Sequence, residues 1–145
     1  MFDKLITRSF TESDRPGVIA LWNEVFPDNS PWNIPDEDID RKLKIQKELF
    51  IVAEYEGEII GSAMAGFDGH RGWVYYVAVL KKYRKHGVGE ALMNHVEREL
   101  TKIGCTKLNL QVRSTNTDVI EFYKKLGYDI EDRVSMAKRL NFENK

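Results

Sequence analysis

Residues 81–89 are the stretch of the sequence best suited to binding a ligand, because basic side chains lie directly before a pair of glycines. The cationic or ionisable members are Lys81, Lys82, Arg84, Lys85 and His86. Gly87 and Gly89 follow, and apolar spacing from Val88 onward predicts that a helix begins here. The first N–H groups of a helix have no intrahelical acceptor and lie at the positive end of its dipole. The stretch predicts a phosphate-binding loop, with a glycine turn beside a solvated basic loop as the alternative.

Two common phosphate-binding motifs are absent from this stretch. A P-loop requires a glycine, four further residues and then Gly-Lys-Ser/Thr, a pattern that the sequence does not contain. The dinucleotide fingerprint requires a third glycine or alanine where this chain has Leu92. That fingerprint also expects an acidic residue at the end of the next strand, where Val112 and Arg113 stand. ATP and NAD are therefore disfavoured as ligands.

The elements that must position this loop follow from the periodicity of apolar residues. Helices are predicted after the capping residues at 11–14 as far as Phe26, and at 35–47, 88–103 and 116–127. Strands are predicted at 5–10, 50–55, 59–65, 73–79, 107–112 and 134–140. The run at 73–79 is apolar throughout, which is typical of a central strand covered on both faces. The order predicts one α/β domain spanning residues 1–145, built around a single mixed sheet.

Composition limits the classes of partner. The 22 basic and 23 acidic residues leave a net charge of −1, which argues against general binding to nucleic acid or to anionic membranes. The N-terminal residues resemble neither a signal peptide nor a transit peptide, and a cytoplasmic location is expected. Cys105 is the single cysteine, so it is expected to be a small core residue rather than a nucleophile. An exposed final strand would allow a homodimer.

Arg84-x-x-Gly87-x-Gly89 resembles the pyrophosphate-binding signature Gln/Arg-x-x-Gly-x-Gly/Ala of the GNAT family of acyl-CoA N-acyltransferases. Residues 76–92 resemble that family's fourth strand and third helix. The block at 116–128, NTDVIEFYKKLGY, resembles its next conserved segment. Weaker similarity to small bacterial YpeA-type acetyltransferases lies in three segments, at 31–33, 38–42 and 66–72.

The resemblance implies a mostly antiparallel mixed sheet of six to seven strands, flanked by four helices and splayed to form a cofactor cleft. Acetyl-CoA is the implied donor, and no metal is implied. Its pantetheine arm would pair with the backbone of Val77, Ala78 and Val79. Its pyrophosphate would lie in the loop formed by Arg84, Lys85, His86, Gly87, Val88 and Gly89. Asn116 would bind the pantetheine end, and Tyr123 would be the general acid for the departing thiolate, unless it is only a core tyrosine.

The general base is not given by the resemblance. Family members that use a glutamate on the fifth strand would place it at Gln111, and an amide cannot accept a proton at neutral pH. Asp68 and His70, in a glycine-flanked loop, and Glu54 are the candidate bases. The alternatives are that Asp68 forms a turn, that His70 is an exposed loop residue and that Glu54 is a solvated strand residue.

Two functions follow. The first is an acetyl-CoA-dependent N-acetyltransferase, in which an amine attacks the thioester directly within a ternary complex. The second is a non-catalytic acyl-CoA-binding or regulatory module, which the absence of an acid at Gln111 keeps open. The sequence does not identify the amine acceptor, although Trp22 and Trp32 are expected to line its site unless they cap the core.

Overall fold

The computed structural model describes residues 4–28 and 31–140 and contains one five-stranded sheet. Its strands are β1 (Ile6–Ser9), β2 (Phe50–Tyr55), β3 (Glu58–Phe67), β4 (Gly72–Val79) and β5 (Leu108–Asn109). The helices are α1 (Arg15–Val25), α2 (Pro35–Lys42), α3 (Val88–Lys102) and α4 (Thr117–Lys125). The strands follow chain order across the sheet, antiparallel except for the parallel pair β4 and β5. The predicted α/β class with a mixed, mostly antiparallel sheet is confirmed.

By its internal contacts the chain divides into two compact units, Met1–Gln111 and Val112–Lys145. The first contains all five strands and α1 to α3, and the second contains α4. The single domain over residues 1–145 stays a prediction. Among the described helices, none has the length and apolar character that crossing a membrane requires.

The hairpin of β2 and β3 forms the centre of the core. Its two-residue turn uses left-handed backbone at Glu56 (φ 49°) and Gly57 (φ 81°), the geometry whose twist matches paired strands. Residues 50–53 are fully buried, and the ring of Phe50 stacks on that of Phe10 with centroids 4.6 Å apart. The strands predicted at 50–55 and 59–65 are confirmed as the two arms of this hairpin.

Helices cover both faces of the sheet. Successive residues of a strand point to opposite faces, and β3 shows this at Gly61 and Ser62. A Cβ on Gly61 would lie 3.0 Å from Cδ1 of Leu92 in α3 and 3.0 Å from the Ala78 carbonyl oxygen, so glycine lets α3 pack closely on this face. On the other face, Ser62 accepts a 2.9 Å hydrogen bond from Nε1 of Trp22 in α1.

A β-bulge interrupts the pairing of β3 with β4. Met64 pairs with Tyr75 and Ser62 with Ala78, so two residues of β4 lie opposite the one residue between them on β3. Tyr76 takes up the extra length with a positive φ of 53°, uncommon for an aromatic residue. The hydroxyl of Ser62 donates a 2.7 Å hydrogen bond to the Tyr76 carbonyl. The bulge is thus tied to the buried Trp22 through Ser62.

Two predicted strands are corrected, and the sheet has five strands rather than six to seven. The strand predicted at 107–112 pairs only over Leu108–Asn109. The strand predicted at 134–140 is not formed, because no described strand pairs with it. Its apolar residues are largely exposed, Val134 at 87% and Met136 at 89%. The basis given for a homodimer, an exposed edge strand here, is therefore absent.

Smaller differences concern helix length and burial. The second helix ends at Lys42 rather than about Lys47, and Gln46 adopts a left-handed φ of 51° that a helix cannot continue through. The strand at 73–79 is not covered on both faces, because Tyr75 is 52% exposed. The Cys105 sulfur, only partly buried, lies 2.8 Å from where a Cβ on Gly72 would be, at the margin of the core.

Candidate active site

The open edge of β4 is the first component of the site. β5 pairs with β4 only at Gly72–Leu108 and Trp73–Asn109, so no described strand pairs with the rest of β4 on that side. The N–H of Leu80 donates to Ile60 of β3 at 2.9 Å, and alternation along a strand then turns the peptide groups of Val79 away from β3. Nε of Arg84 lies 3.3 Å from the Val79 carbonyl and confirms that direction. The edge can therefore pair with an extended ligand as an added strand would.

The N-terminus of α3 is the second component. Gly87 is the N-cap residue with a left-handed φ of 84°, and no side chain caps the helix. Ala91 donates the first intrahelical hydrogen bond, to Gly87, which leaves the N–H groups of residues 88–90 without a helical acceptor. A Cβ on Gly87 would meet no atom within 4 Å, so the space in front of these donors is open. A glycine cradle beside unused N–H donors fits a phosphate group.

The basic residues of the loop are exposed around this cradle. Lys81 and Lys82 belong to a short 3-10 turn, and Lys82 Nζ lies 3.8 Å from a carboxylate oxygen of Glu58. Arg84, Lys85 and His86 are exposed to solvent. Lys85 has a positive φ of 67°, which gives the loop its sharp change of direction before Gly87. The residues predicted to bind pyrophosphate thus form a loop, 84–87, and the first two residues of α3.

A groove of about 540 Å³ is the third component, between α1, α2 and the strands β3 and β4. The bulge contributes to it, because the adjacent residues Tyr75 and Tyr76 both line it. Tyr76 is fixed from behind by Trp22, whose ring stacks on it at 3.9 Å. The remaining lining residues are Phe26, Asn33, Asp38, Arg41, Lys42, Ile45, Met64 and Gly66. Trp22 is itself buried, which agrees with the core role considered for it.

Asp38 is the carboxylate that lines this groove. One of its oxygens accepts a 2.6 Å hydrogen bond from the Tyr76 hydroxyl. The other accepts a charge-assisted bond from the guanidinium of Arg41, one turn along α2. The Asp38 side chain is only 14% exposed, so both contacts are largely shielded from water. The arrangement holds a carboxylate in a fixed orientation at the groove wall.

The three base candidates from the sequence lie outside the groove lining. Glu54 accepts two hydrogen bonds from Arg8, at 2.8 and 3.0 Å, in a second cavity of about 490 Å³. Asp68 accepts the N–H groups of His70 and Arg71, each at 2.7 Å, and these bonds lower its pKa. His70 is exposed beside Arg71. The geometry of Asp68 is that of a turn former, the alternative considered for it.

Asn116 and Tyr123 belong to the second unit. Asn116 is the N-cap of α4, where its Oδ1 accepts the N–H of Val119 at 3.4 Å. Tyr123 is 8% exposed, and burial raises the pKa of its phenol to about 12. Edge contacts with Phe122 and Tyr128 hold the ring. A phenol with this pKa carries its proton throughout the neutral range, as a proton donor must.

The groove residues Asp38, Lys42 and Tyr76 were not identified as site residues from the sequence. Asp38 and Lys42 lie in the segment 38–42, which the resemblance to YpeA-type acetyltransferases had marked without assigning a role. In the sequence, Tyr76 resembles any other apolar residue of a strand, because no neighbouring residue indicates the bulge that changes its orientation.

Known proteins resemble this chain over most of its length. A family model for acetyltransferases of the GNAT family matches residues 15–128. Acetyltransferase YE1169 of Yersinia enterocolitica is 47% identical over 133 residues, 92% of this chain and 94% of the relative.

Two solved structures share the fold. AAC(6')-Iy, in complex with the bisubstrate analogue CoA-S-monomethyl-acetylneamine, has a TM-score of 0.80 and 19% identity, covering 94% of this chain and 98% of that chain. The ribosomal-protein-S18-alanine N-acetyltransferase of Escherichia coli has a TM-score of 0.71 and 24% identity, covering 85% and 76%. Family model and sequence identity agree: this chain belongs to the GNAT family of acetyltransferases.

Proposed function

We propose that the protein transfers the acetyl group of acetyl-CoA to a primary amine held in the groove. The proposal rests on β4, because this one strand contributes both to the groove and to the open edge. Tyr75 and Tyr76 line the groove, and the next residues, 77–79, form the open edge. A donor paired with that edge and an amine in the groove would thus meet at one strand. Such positioning converts a bimolecular step into one within a ternary complex.

Acetyl-CoA would supply an acetyl thioester, and the chain would supply binding groups and proton transfers. The N–H groups at the start of α3 and the side chain of Arg84 would bind the pyrophosphate. The backbone of Val77, Ala78 and Val79 would pair with the pantetheine arm, and an N–H that points away from β3, such as that of Val79, would polarise the thioester carbonyl. The amine would attack directly, with no covalent enzyme intermediate, in keeping with the position of Cys105 at the core margin.

Proton transfers need a base and an acid. An alkyl amine with a pKa of about 10 is mostly protonated at neutral pH and must lose a proton before attack. We favour Asp38 as the base over Glu54, Asp68 and His70, because it is the carboxylate in the groove lining. Tyr123, protonated at neutral pH, would be the acid for the departing thiolate, and Asn116 would contact the pantetheine end.

The acceptor is either a small molecule or a protein amine. The two structural neighbours represent one of each kind, AAC(6')-Iy with a bound analogue built on acetylneamine and an N-acetyltransferase named for a ribosomal-protein alanine. A non-catalytic acyl-CoA-binding module stays the second candidate, because Gln111 stands where some members have a base. The carboxylate of Asp38 in the groove favours catalysis.

A panel of amines assayed with acetyl-CoA tests the proposal. Release of free thiol together with the acetylated amine is expected for at least one class of acceptor. Tyr123→Phe should reduce kcat by about 100-fold, the usual range for a lost general acid, with acetyl-CoA affinity unchanged. Tyr55→Phe, a hydroxyl deletion on β2, is the control and should keep full activity. Acetyl-CoA binding without turnover of any amine or peptide would favour the module.

A further inference from the structure

Lys42 places a charge without a counter-ion in the groove. Its ammonium donates to the carbonyl of Ala65, and its Nζ is 3.7 Å from where a Cβ on Gly66 would lie. Among the described residues, none places a carboxylate within ion-pair distance of Lys42; Glu48 acts on it only from farther away. A half-buried charge of this kind costs free energy unless a partner of opposite charge is supplied.

The other charges of the groove are already matched. Asp38 is occupied by Arg41 and by the hydroxyl of Tyr76. The Arg41 side chain, which pairs with Asp38, is 61% exposed. The groove lining contains no acid besides Asp38 that could offset Lys42. Burial lowers the pKa of Lys42, which agrees with a cation that water solvates poorly. The groove therefore carries one positive charge in excess.

The apolar lining indicates what surrounds that charge. Tyr75 and Phe26 present aromatic surface, and Met64 and Ile45 present aliphatic surface. A volume of about 540 Å³ is typical of small-molecule sites. A polycationic acceptor would meet Lys42 and Arg41 as like charges, which disfavours aminoglycosides here.

We propose that the acceptor is a small amine that also carries a carboxylate, which Lys42 binds, and an apolar side chain, which the aromatic wall binds. Amino acids with apolar side chains have this chemistry. The inference rests on the proposed function, because it takes the groove to be the acceptor site. Lys42 is then the residue that sets specificity, and Asp38 remains the base.

Matched substrate pairs test the assignment. Phenylalanine and phenylalaninamide, and leucine and leucinamide, differ only in the carboxylate. With rates expressed per concentration of unprotonated amine, the wild-type protein should prefer the acids by about tenfold in kcat/KM, mainly through KM. Lys42→Met should abolish this preference, whereas Lys42→Arg, which keeps the charge, should retain part of it. Lys44→Met, an exposed lysine two residues away, should leave it unchanged.

The outcomes separate the inference from the proposed function. Equal kcat/KM for the amides and the acids in the wild-type protein, or a preference that survives Lys42→Met, overturns the role of Lys42 while acetyl transfer stands. Turnover of an aminoglycoside or a peptide alone also overturns it.

If no amine is turned over, calorimetric titration with N-acetylphenylalanine tests whether Lys42 binds a carboxylate. Binding that Lys42→Met abolishes and Lys44→Met retains supports the carboxylate site, and equal or absent binding contradicts it. Lys42→Gln replaces Lys42→Met if the latter does not fold.

Discussion

Asp38 is the residue whose substitution reports on proton removal. Asparagine can keep the hydrogen bond from Tyr76 but cannot accept a proton. Asp38→Asn should lower kcat/KM by about 100-fold near pH 7.5, because a positioned base contributes on that order. The loss should shrink as pH rises toward the pKa of the acceptor amine, since hydroxide then deprotonates the amine.

A pH–rate profile of Asp38→Asn against wild type measures this effect. Asp40→Asn, an exposed position on the same helix paired with Arg15, is the control and should retain its activity. A deficit in Asp38→Asn that stays constant across the pH range would show that Asp38 positions the groove rather than taking the proton.

Tyr123 should link stability to alkaline pH. Its pKa is about 12 in the folded protein against 10.0 without the burial, so the folded state holds the proton more tightly. The stability from the buried neutral phenol is present below pH 10 and is lost as pH rises to about 12. The lost contribution is about 2–3 kcal/mol, at 1.36 kcal/mol per pKa unit.

Urea unfolding of wild type and Tyr123→Phe at pH 8 and pH 11.5 measures this contribution. The stability of wild type should fall further than that of the variant between the two pH values. Parallel losses in the two proteins would mean that the phenol is not shielded as the structure has it.

At the scale of single residues, the sequence predicts the geometry best where that geometry is local. Arg84, Gly87 and Gly89 lie within six residues, and a glycine cradle at a helix start needs nothing from elsewhere in the chain. Asp38 and Tyr76 are 38 residues apart and meet only through the packing of α2 on the bulged β4. The spacing of residues in the sequence does not predict such a contact.

Among the structural elements, the bulge in β4 is the feature with the most consequences, and Ser62 supports it. Its hydroxyl accepts from Trp22 and donates to the Tyr76 carbonyl, and the side chain is fully buried. Ser62→Ala would leave both partners unsatisfied, and we expect a loss of about 2–4 kcal/mol in the free energy of unfolding.

Chemical denaturation should show this loss together with reduced acetyl transfer, because Tyr75 and Tyr76 depend on the bulge. Ser13→Ala, an exposed hydroxyl bonded to Thr11, should change stability by less than about 0.5 kcal/mol. A Ser62→Ala variant as stable as wild type would contradict the role given to Ser62.

The hairpin, both long strands and all four helix starts could be predicted because apolar periodicity and turn residues are local signals. The strands at 107–112 and 134–140 were predicted too long or wrongly, since alternation fits a strand whether or not another strand is there to pair with it. The extent of β5 depends on where it parts from β4, and no residue type encodes that divergence. The same divergence creates the open edge of the site.

In the molecule as a whole, the net charge is −1, yet two places carry local positive charge. The exposed loop at 81–86 flanks the cradle at α3, and Lys42 lies in the groove on the other side of β4. We propose that the first binds the pyrophosphate of the donor and that the second binds the carboxylate of the acceptor.

Isothermal titration of two glycine variants tests our proposal that the N-terminal end of α3 binds acetyl-CoA. Gly87 (φ 84°) and Gly104 (φ 91°) flank opposite ends of α3, and a Cβ at either meets no atom within 4 Å. Alanine at both should cost a similar 1–2 kcal/mol of backbone strain. We predict that Gly87→Ala weakens acetyl-CoA binding by roughly tenfold or more, whereas Gly104→Ala binds like wild type. No binding by wild type, or equal affinity in both variants, would show that this end of α3 is not the acetyl-CoA site.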